Sequence, residues 1–366
     1  MTLALTLASS LTLALTFLAH LTERQDRDSS FSLMRFPLKQ SLAVFKHISR
    51  QKKQGVPRFP LVLMLEPLHA CNLTCTGCGR IREYKDRISE MVSLSDCLKA
   101  AEDCNAPVVS ICGGEPLLYP QVGELADILL KRGKVVYLCT NGQVLEKKLR
   151  LFRPDKMFNI NVHLDGMKKT HDAIVELDGA FEKAVSGIKA AKKAGFLVCT
   201  NTTIYKQTSP AEIRELVNFL EDLGIDGMLM SPGFDYSEVK DRSVFLTKEA
   251  IIEKFCELKD VTSRPKIWNT PLFYDFLEGK REYPCTPWGN VTYNICGWKA
   301  PCYLITDEHH SSYDDFISKV DWNKYGPKSD PRCKNCMAHC GFEATVALNS
   351  TGSLSDILKM ARWTLF

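Results

Sequence analysis

Residues 61–78 read LVLMLEPLHACNLTCTGC, and this stretch decides how the rest of the chain is interpreted. Residues 61–65 form a short apolar run, which is typical of a buried β-strand. Three cysteines follow at CxxxCxxC spacing, Cys71, Cys75 and Cys78. Thiolates so close together in one loop can converge on a soft metal centre, and three of them leave one iron of a four-iron cluster without a protein ligand. The stretch therefore predicts a strand with a metal site on the loop at its carboxyl end.

Spacing alone leaves two other interpretations of these cysteines open. A structural zinc site needs a fourth nearby ligand, which His69 can supply, and the cysteines can also be incidental. Fifteen cysteines in 366 residues are too few for a disulfide scaffold. In a chain of this length, clustered cysteines indicate metal binding or catalysis in a reducing compartment.

The overall composition excludes several classes of protein. With 45% apolar and 25% charged residues, the chain is neither disordered throughout nor built from many membrane spans. The 47 basic and 43 acidic residues give a net charge of +4, so the sequence predicts no nucleic acid partner.

From residue 61 onward, short apolar runs alternate with stretches of helical periodicity. Such alternation predicts βαβ units, so we expect an α/β fold, a partial (β/α)6 barrel of the TIM type with a cysteine-bearing C-terminal cap. In a barrel of parallel strands, the loops at the carboxyl ends of the strands form the active-site face. The predicted strands are 61–65, 108–112, 135–139, 158–164, 197–204 and 227–230, and the predicted helices are 93–103, 121–132, 180–194 and 210–223.

Polar and glycine-rich residues follow the predicted strands, and we expect them to line one cavity. For His163 and Asp165 there is an alternative, in which the histidine is hydrogen-bonded to the neighbouring carboxylate only for structure. Thr140, Asn141, Asn201 and Ser231 can instead cap the helix that follows each of them. The residues are Gly113, Gly114, Glu115, Pro116, Thr140, Asn141, His163, Asp165, Asn201 and Ser231.

The CxxxCxxC loop and residues 113–116 together resemble the radical S-adenosylmethionine (SAM) enzymes. The resemblance implies that the three cysteines hold a [4Fe–4S] cluster whose open iron chelates the amino and carboxylate groups of SAM. It also implies that the GGEP segment contacts that amino group, because glycine lets the backbone approach and Glu115 offers an anion to an ammonium. This family usually has an aromatic residue directly before the last cysteine. This chain has Gly77 there, so the cluster must be shielded from elsewhere.

A closer resemblance, from about residue 34 to about residue 346, is to the adenosylhopane synthase family of hopanoid biosynthesis. It implies that the 5′-deoxyadenosyl radical adds to the alkene of the triterpene diploptene, with SAM as co-substrate and a reductant such as flavodoxin or ferredoxin. It also implies candidate cofactor contacts from residues 113–116, Thr140, Asn141, His163 and Asp165. The segments that carry it are LVLMLEPLHACNLTCTGCG at 61–79, APVVSICGGEPLL at 106–118, VVYLCTNG at 135–142, VHLDGMKKTHD at 162–172, CTPWGNVTYN at 285–294 and CGFEAT at 340–345.

Two rival functions stay open from the sequence. One is a radical SAM peptide maturase with an auxiliary cluster. We expect no leader-peptide recognition module upstream of the barrel, and this expectation counts against a maturase. The other is a non-catalytic Fe–S electron carrier, which needs no SAM-binding loop such as GGEP.

Addition to an alkene leaves a carbon radical that must gain either a hydrogen atom or an electron and a proton, and a thiol in the cavity can supply the hydrogen atom. The resemblance implies that Cys139, in the segment YLCTN, is this catalytic donor, with Cys112 as its competitor. Both can instead be small buried packing residues. Four further cysteines are expected to be packing residues, namely Cys97, Cys104, Cys199 and Cys256.

The C-terminal third holds a second group of cysteines. A Cx11Gx4C segment followed by CxxC resembles the half-domains of radical enzymes that bind an auxiliary Fe–S cluster, which implies four thiolate ligands. Zinc binding and a metal-free site stay open, and Cys340 can replace a member of the set. Aromatic residues are dense here, and they suit either a polycyclic hydrocarbon or ordinary core packing. The four cysteines are Cys285, Cys302, Cys333 and Cys336, and the aromatic residues are Trp268, Phe273, Tyr274, Phe276, Trp288, Trp298 and Tyr303.

Five segments are expected along the chain. Residues 1–33 are an apolar extension outside the fold, with a signal peptide and a membrane anchor as alternatives. Residues 34–60 are a basic amphipathic segment, which either covers the barrel or lies on a membrane surface. Residues 61–235 are the barrel, 236–346 the cap and 347–366 a tail. An Fe–S enzyme with a triterpene substrate is expected in the cytoplasm, with peripheral contact to the inner membrane.

Overall fold

One nine-stranded sheet organises the part of the chain that the computed structural model describes, residues 36–236, 238–350 and 352–365. The strands are β1 (Val62–Leu65), β2 (Val108–Ile111), β3 (Val135–Thr140), β4 (Phe158–His163), β5 (Leu197–Ile204), β6 (Gly227–Pro232), β7 (Asn290–Asn294), β8 (Gly297–Pro301) and β9 (Thr306–His310). They lie in the order β6-β5-β4-β3-β2-β1-β7-β8-β9.

Strands β1 to β6 pair in parallel with their neighbours in chain order, which confirms the predicted α/β barrel fold. The strand and helix bounds predicted for this part of the chain differ from the observed ones by at most two residues. The cap shares the same sheet, because β7 pairs in parallel with β1 and β8 and β9 extend it in antiparallel order.

The helices form where apolar residues recur at helical spacing and bury one face. In the helix Ala180–Lys193, for example, Ala184, Ile188 and Ala191 are buried, and Gly195 ends it with a φ of 85°. The helices are α1 (Leu38–Lys53), α2 (Arg80–Glu83), α3 (Leu94–Asp103), α4 (Val122–Lys131), α5 (Leu145–Lys148), α6 (Lys168–Val175), α7 (Ala180–Lys193), α8 (Pro210–Asp222), α9 (Lys248–Glu257), α10 (Lys259–Thr262), α11 (Pro271–Leu277), α12 (Tyr313–Lys319), α13 (His339–Asn349) and α14 (Leu354–Leu365).

Strand register decides which side chains share a face of the barrel sheet. Cys139 on β3 lies opposite Asn161 on β4, which in turn lies opposite Cys199 on β5. Partners in a parallel ladder point to the same face, so these three residues form one row. The alternate positions, such as Leu138 and Ile160, are buried in the main hydrophobic core.

Helix α1 covers the amino-terminal end of the barrel. This position fits the interpretation that the basic amphipathic segment packs on the domain. Its residues Leu38, Leu42 and Ile48 are buried, and the Gln40 side chain donates to the carbonyl of Lys156 at 2.9 Å. These side chains are therefore not free to enter a membrane. Residues 1–33 lie outside the described residues.

None of the helices among the described residues is both long and apolar enough to cross a membrane.

Most of the aromatic residues of the C-terminal third pack in the core. Phe273, Phe276 and Trp298 are buried there, and Phe276 stacks on Phe342 with ring centroids 4.3 Å apart. Their arrangement fits the core-packing alternative of the sequence analysis.

Candidate functional site

The loop after β2 lies directly against the start of the cysteine loop. The backbone N–H of Gly114 donates to the carbonyl of Leu68 at 3.0 Å, and that of Glu115 to the carbonyl of Ala70 at 2.9 Å. A Cβ on Gly114 would lie 2.1 Å from the Ala70 oxygen, and Gly113 has a φ of 106°. Only glycine fits this close approach, which holds the GGEP segment beside the CxxxCxxC loop.

The three predicted cluster cysteines sit half-buried on one folded loop. The loop is closed by the Cys78 N–H, which donates to the Cys75 carbonyl at 3.1 Å, and is held to α6 by the Thr76 N–H on the Ile174 carbonyl at 2.9 Å. Burial raises the pKa of Cys71 to about 11, so the free thiol is protonated at neutral pH. Three thiols on one loop form a donor set that fits an iron–sulfur cluster.

A single bound metal ion fits less well. No three His, Cys, Asp or Glu side chains of the described residues are close enough together to hold one ion. A four-iron cluster spreads its thiolates over several metal atoms, so its ligands lie farther apart.

Glu115 ties two loops together. Its carboxylate accepts hydrogen bonds from the Thr140 hydroxyl at 2.7 Å, the Asn141 N–H at 2.8 Å and the Leu117 N–H at 3.0 Å. Burial raises its pKa, against the effect of these three donors. We expected this carboxylate to be directed at a ligand ammonium, but it is only 1% exposed and engaged with its own chain. Its contact with SAM stays a prediction.

Asn141 reaches from β3 to the cysteine loop. Its side-chain amide donates to the Asn72 side-chain oxygen at 2.8 Å and lies 3.7 Å from the Cys71 sulfur. Of the residues predicted on the β3 loop, Asn141 therefore touches the cluster cysteines, whereas Thr140 is buried under it.

His163 and Asp165 form a pair at the end of β4. The His163 Nε2 lies 2.7 Å from the Asp165 carboxylate, which also accepts from the Thr203 N–H at 2.7 Å. Burial lowers the pKa of His163, but the Asp165 charge and hydrogen bond outweigh it and raise the pKa overall. Asp165 is fully buried, while the His163 side chain is 27% exposed. Of this pair, only His163 is open to a ligand, and Asp165 positions it.

Cys139 lies in the polar row on β3. Its sulfur is 3.1 Å from the Ser110 hydroxyl and 3.6 Å from the Asn161 amide nitrogen. Burial raises its pKa, so the group is a neutral thiol. Cys139 is part-exposed, whereas its competitor Cys112 is buried at 5% exposure. A ligand in the barrel can therefore reach Cys139 more readily than Cys112.

The remaining cysteines divide as the sequence predicted, with one exception. Cys97, Cys104 and Cys199 are buried, as packing residues should be. Cys256 is exposed on α9, so its assignment as a packing residue is wrong. The sequence pattern of α9 did not show that Cys256 lies outside the buried face of this helix.

The C-terminal cysteines converge on one apolar cavity. Cys285, Cys302, Cys333 and Cys336 all line it, as predicted, and Cys340 joins them as a fifth thiol. The chain folds tightly around them: the Cys336 N–H donates to the Cys333 carbonyl at 2.9 Å, and the Ile305 N–H donates to the Cys302 sulfur at 3.4 Å. Five thiols around one cavity fit a second iron–sulfur cluster, with one thiol more than four ligands require.

A buried charged network joins the two cysteine regions, and no sequence motif indicated it. Arg80, which follows the cysteine loop, lies 2.9 Å from Glu66 and 2.7 Å from Glu83. It also donates to the carbonyl of Tyr303, as does Lys299, each at 2.9 Å. The network holds the strand pair of the cap against the cysteine loop.

Two tyrosines that the sequence analysis missed also contact the cysteine loop. Tyr205 follows β5 and lies against Gly77, and Tyr236 follows β6 and lies against Gly79. The unusual glycine at position 77 was the signal that such a neighbour exists.

Comparison with known families agrees with this geometry. Residues 65–220 match the radical SAM superfamily, and residues 228–360 match a domain of unknown function (DUF3463). The first match contains the cysteine loop, GGEP and Cys139. The second contains the C-terminal cysteines.

Individual relatives are more distant. The chain is 29% identical to the AdoMet-dependent heme synthase of Methanosarcina barkeri, over 45% of this chain and 48% of that protein. It is 26% identical to the antilisterial bacteriocin subtilosin biosynthesis protein AlbA of Bacillus subtilis, over 81% of this chain and 70% of that protein. The chain thus spans about half the length of the heme synthase and more of AlbA.

Solved structures share the fold. Streptococcus suis SuiB bound to its precursor peptide SuiA has a TM-score of 0.59 at 17% identity, covering 87% of this chain and 79% of SuiB. The protein anSMEcpe, with AdoMet and a peptide bound, has a TM-score of 0.52 at 15% identity, covering 83% and 99%. At these identities, the likeness concerns the fold.

Proposed function

We infer, because residues 65–220 match the radical SAM superfamily, that this chain cleaves SAM reductively and joins the 5′-carbon to the alkene of a triterpene such as diploptene. The observation that carries the proposal is the Cys139 thiol. This thiol on β3 is neutral and part-exposed, and its sulfur lies beside the Ser110 hydroxyl and the Asn161 side-chain amide. The carbon radical left by an addition can be quenched by a hydrogen atom from a thiol at such a place.

The cluster and SAM, when bound, supply the 5′-deoxyadenosyl radical. Cys71, Cys75 and Cys78 are the residues that would hold the cluster. The backbone of Gly113 and Gly114 borders the same loop, and its carbonyl oxygens are the acceptors that we propose for the amino group of SAM. Asn141 directly follows β3 and His163 ends β4, so both lie at the carboxyl end of the barrel strands.

The role of Cys139 follows from the balance of the reaction. Addition of the 5′-carbon to the terminal alkene carbon forms one C–C bond and leaves a tertiary carbon radical. Cys139 gives its hydrogen atom to that carbon and becomes a thiyl radical. One electron from a reductant such as flavodoxin or ferredoxin and one proton then restore the thiol. Ser110, whose hydroxyl lies 3.1 Å from the sulfur, is placed to pass that proton.

A second candidate function is the modification of a peptide. The observation that favours it is the match to AlbA over 81% of this chain, together with the SuiB fold. These comparisons favour a peptide more than a triterpene, whereas the reachable thiol on β3 favours the alkene. The two candidate functions share the cluster, SAM and the barrel. They differ in the substrate, which is a triterpene in the first and a peptide in the second.

The decisive experiment uses the full chain, reconstituted anaerobically with iron, sulfide and a reductant. We expect diploptene and SAM to give adenosylhopane. A Cys139→Ala variant should still consume the alkene but yield products with an altered fate of the carbon radical, whereas Cys97→Ala, which removes a buried cysteine of α3, should give normal product.

Two outcomes would contradict the proposal. Cleavage of SAM without adenosylated triterpene, alongside modification of a peptide, would favour the second candidate. An unaltered product from Cys139→Ala would remove the role assigned to the thiol.

A further inference from the structure

Two tyrosines fill the space that two glycines leave on either side of Cys78. A Cβ on Gly77 would lie 2.2 Å from the Tyr205 hydroxyl, and a Cβ on Gly79 would lie 2.6 Å from Cε2 of Tyr236. The φ of Gly79 is −97°, which any residue adopts, and Gly77 also lacks a left-handed φ. The backbone therefore does not require these glycines. The close approach of the two phenol rings does.

Tyr236 is placed to donate its hydroxyl proton to the Cys78 sulfur. Its oxygen accepts from the Gly79 N–H at 2.6 Å. A phenol has one proton to donate, and this hydroxyl stands beside the peptide bond that joins Cys78 to Gly79. The Cys78 sulfur is the acceptor that we infer for this proton when the sulfur is a cluster ligand.

Tyr236 is also held rigidly from its other side. Its ring packs with Phe234, Ile305 and Ala338 in a small hydrophobic cluster that includes Cys302. The hydroxyl is therefore fixed at Cys78 by the cap, which contributes two of these contacts.

Tyr205 covers the same loop from β5. Its side chain is 5% exposed, its N–H donates to the Thr208 hydroxyl at 2.9 Å, and its ring packs edge-on against Phe245 at 5.8 Å. The ring stands where a side chain at position 77 would otherwise project.

We propose that Tyr236 tunes the reduction potential of the cluster held by the CxxxCxxC loop and that Tyr205 shields this cluster from water. Reduction adds negative charge to the cluster and its sulfurs, so an O–H donated to the Cys78 sulfur stabilises the reduced form and raises the potential. A ring over the loop limits solvent contact, which is the other determinant of cluster potential and lifetime. Both tyrosines are positioning residues and need not touch the substrate.

The first test is a potentiometric EPR titration of the reconstituted full chain. The cluster of interest is the one whose signal changes when SAM is added, because only a cluster with an open iron binds it. Tyr236→Phe removes the hydroxyl and keeps the ring. It should make reduction about tenfold less favourable, equivalent to 59 mV to the negative side for one electron.

The matched control is Tyr119→Phe, which removes the buried hydroxyl that donates to the Val92 carbonyl at 2.9 Å, away from the cysteine loop. Its titration should match that of the natural chain. An unchanged or raised potential in Tyr236→Phe would overturn the role of the hydroxyl.

The second test moves the aromatic ring from one strand to the loop. Tyr205→Ala should lose cluster iron to a chelator several-fold faster than the natural chain. The double variant Tyr205→Ala with Gly77→Phe has room for the new ring and should recover most of the slow release. Equal rates in the natural chain and Tyr205→Ala, or no recovery in the double variant, would overturn the shielding role.

These readouts are independent of the proposed substrate. Potential and iron release need neither a triterpene nor a peptide, so failure to form adenosylhopane would leave the tyrosine proposal standing. A potential that stays unchanged would in turn leave the proposed reaction untouched.

Discussion

Replacement of Arg80 by methionine should strongly destabilise the fold, because Arg80 balances a buried carboxylate. Its side chain is 2% exposed and lies 2.9 Å from the Glu66 carboxylate, which is fully buried. Without it, the Glu66 charge keeps only the contacts from His69 at 3.3 Å and Asn294 at 3.2 Å. Removal of one partner from a buried ion pair costs about 3–5 kcal/mol, since the other charge stays buried without compensation.

Urea denaturation followed by circular dichroism measures this loss as a lower midpoint. The matched control is Arg87→Met, which breaks an exposed pair with Glu90 and should leave the midpoint unchanged. The double variant Glu66→Gln with Arg80→Met should recover a large part of the loss, because the uncompensated Glu66 charge is removed. Equal midpoints for Arg80→Met and Arg87→Met, or a double variant no more stable than Arg80→Met, would refute this role of Arg80.

The pH dependence gives a second check on the same pair. Burial raises the pKa of Glu66, but the Arg80 charge, the His69 hydrogen bond and the Lys299 charge together outweigh burial and lower the pKa to about 2. A depressed carboxyl pKa adds stability above the unfolded value of about 4.3, and that stability is lost as the pH falls toward 2. In Arg80→Met the pH dependence of stability reverses in sign, because the uncompensated Glu66 carboxyl takes up a proton on folding. The difference in the free energy of unfolding between the natural chain and Arg80→Met should therefore narrow as the pH falls below about 5.

Two further predictions concern the C-terminal unit. Burial raises the pKa of Glu343, which accepts from the Thr270 hydroxyl at 2.8 Å, to about 7. A raised carboxyl pKa makes the fold more stable as the pH falls from 7 toward 5, and Glu343→Gln should flatten this slope in denaturation midpoints. The joint variant Cys333→Ala with Cys336→Ala should lower the iron content of the reconstituted chain by one cluster, while Cys97→Ala should not. Equal iron in both variants would contradict a second cluster.

The strands, the helices and the CxxxCxxC loop could be predicted from local sequence. Apolar runs between residues 61 and 230 predicted β1 to β6, because a strand buried on both faces of a parallel sheet is apolar along its length. The spacing of Cys71, Cys75 and Cys78 predicted a ligand loop, because ligands within eight residues of each other converge whatever the rest of the fold does. GGEP could be identified for a similar reason, since its glycines serve one close backbone approach.

The roles of individual polar residues could not be predicted in this way. Glu115 and Asp165 looked like ligand contacts, yet each carboxylate is buried and engaged by donors from a neighbouring strand or loop. Cys256 looked like a core residue and is exposed. Whether each of these side chains is buried, and which groups it contacts, depends on residues far away along the chain. Local sequence patterns do not report such contacts.

The sequence by itself determined the strands of the partial barrel and the cysteine loop, because those signals consist of periodicity and spacing over short ranges. Only the tertiary structure decided that Cys340 joins four other thiols in one cavity and that Arg80 ties the cap to the cysteine loop. It also decided that Tyr205 and Tyr236 stand where Gly77 and Gly79 leave room. The contacts of Arg80 and of the two tyrosines join segments more than 100 residues apart, and their geometry depends on how β5, β6 and the cap close around one loop.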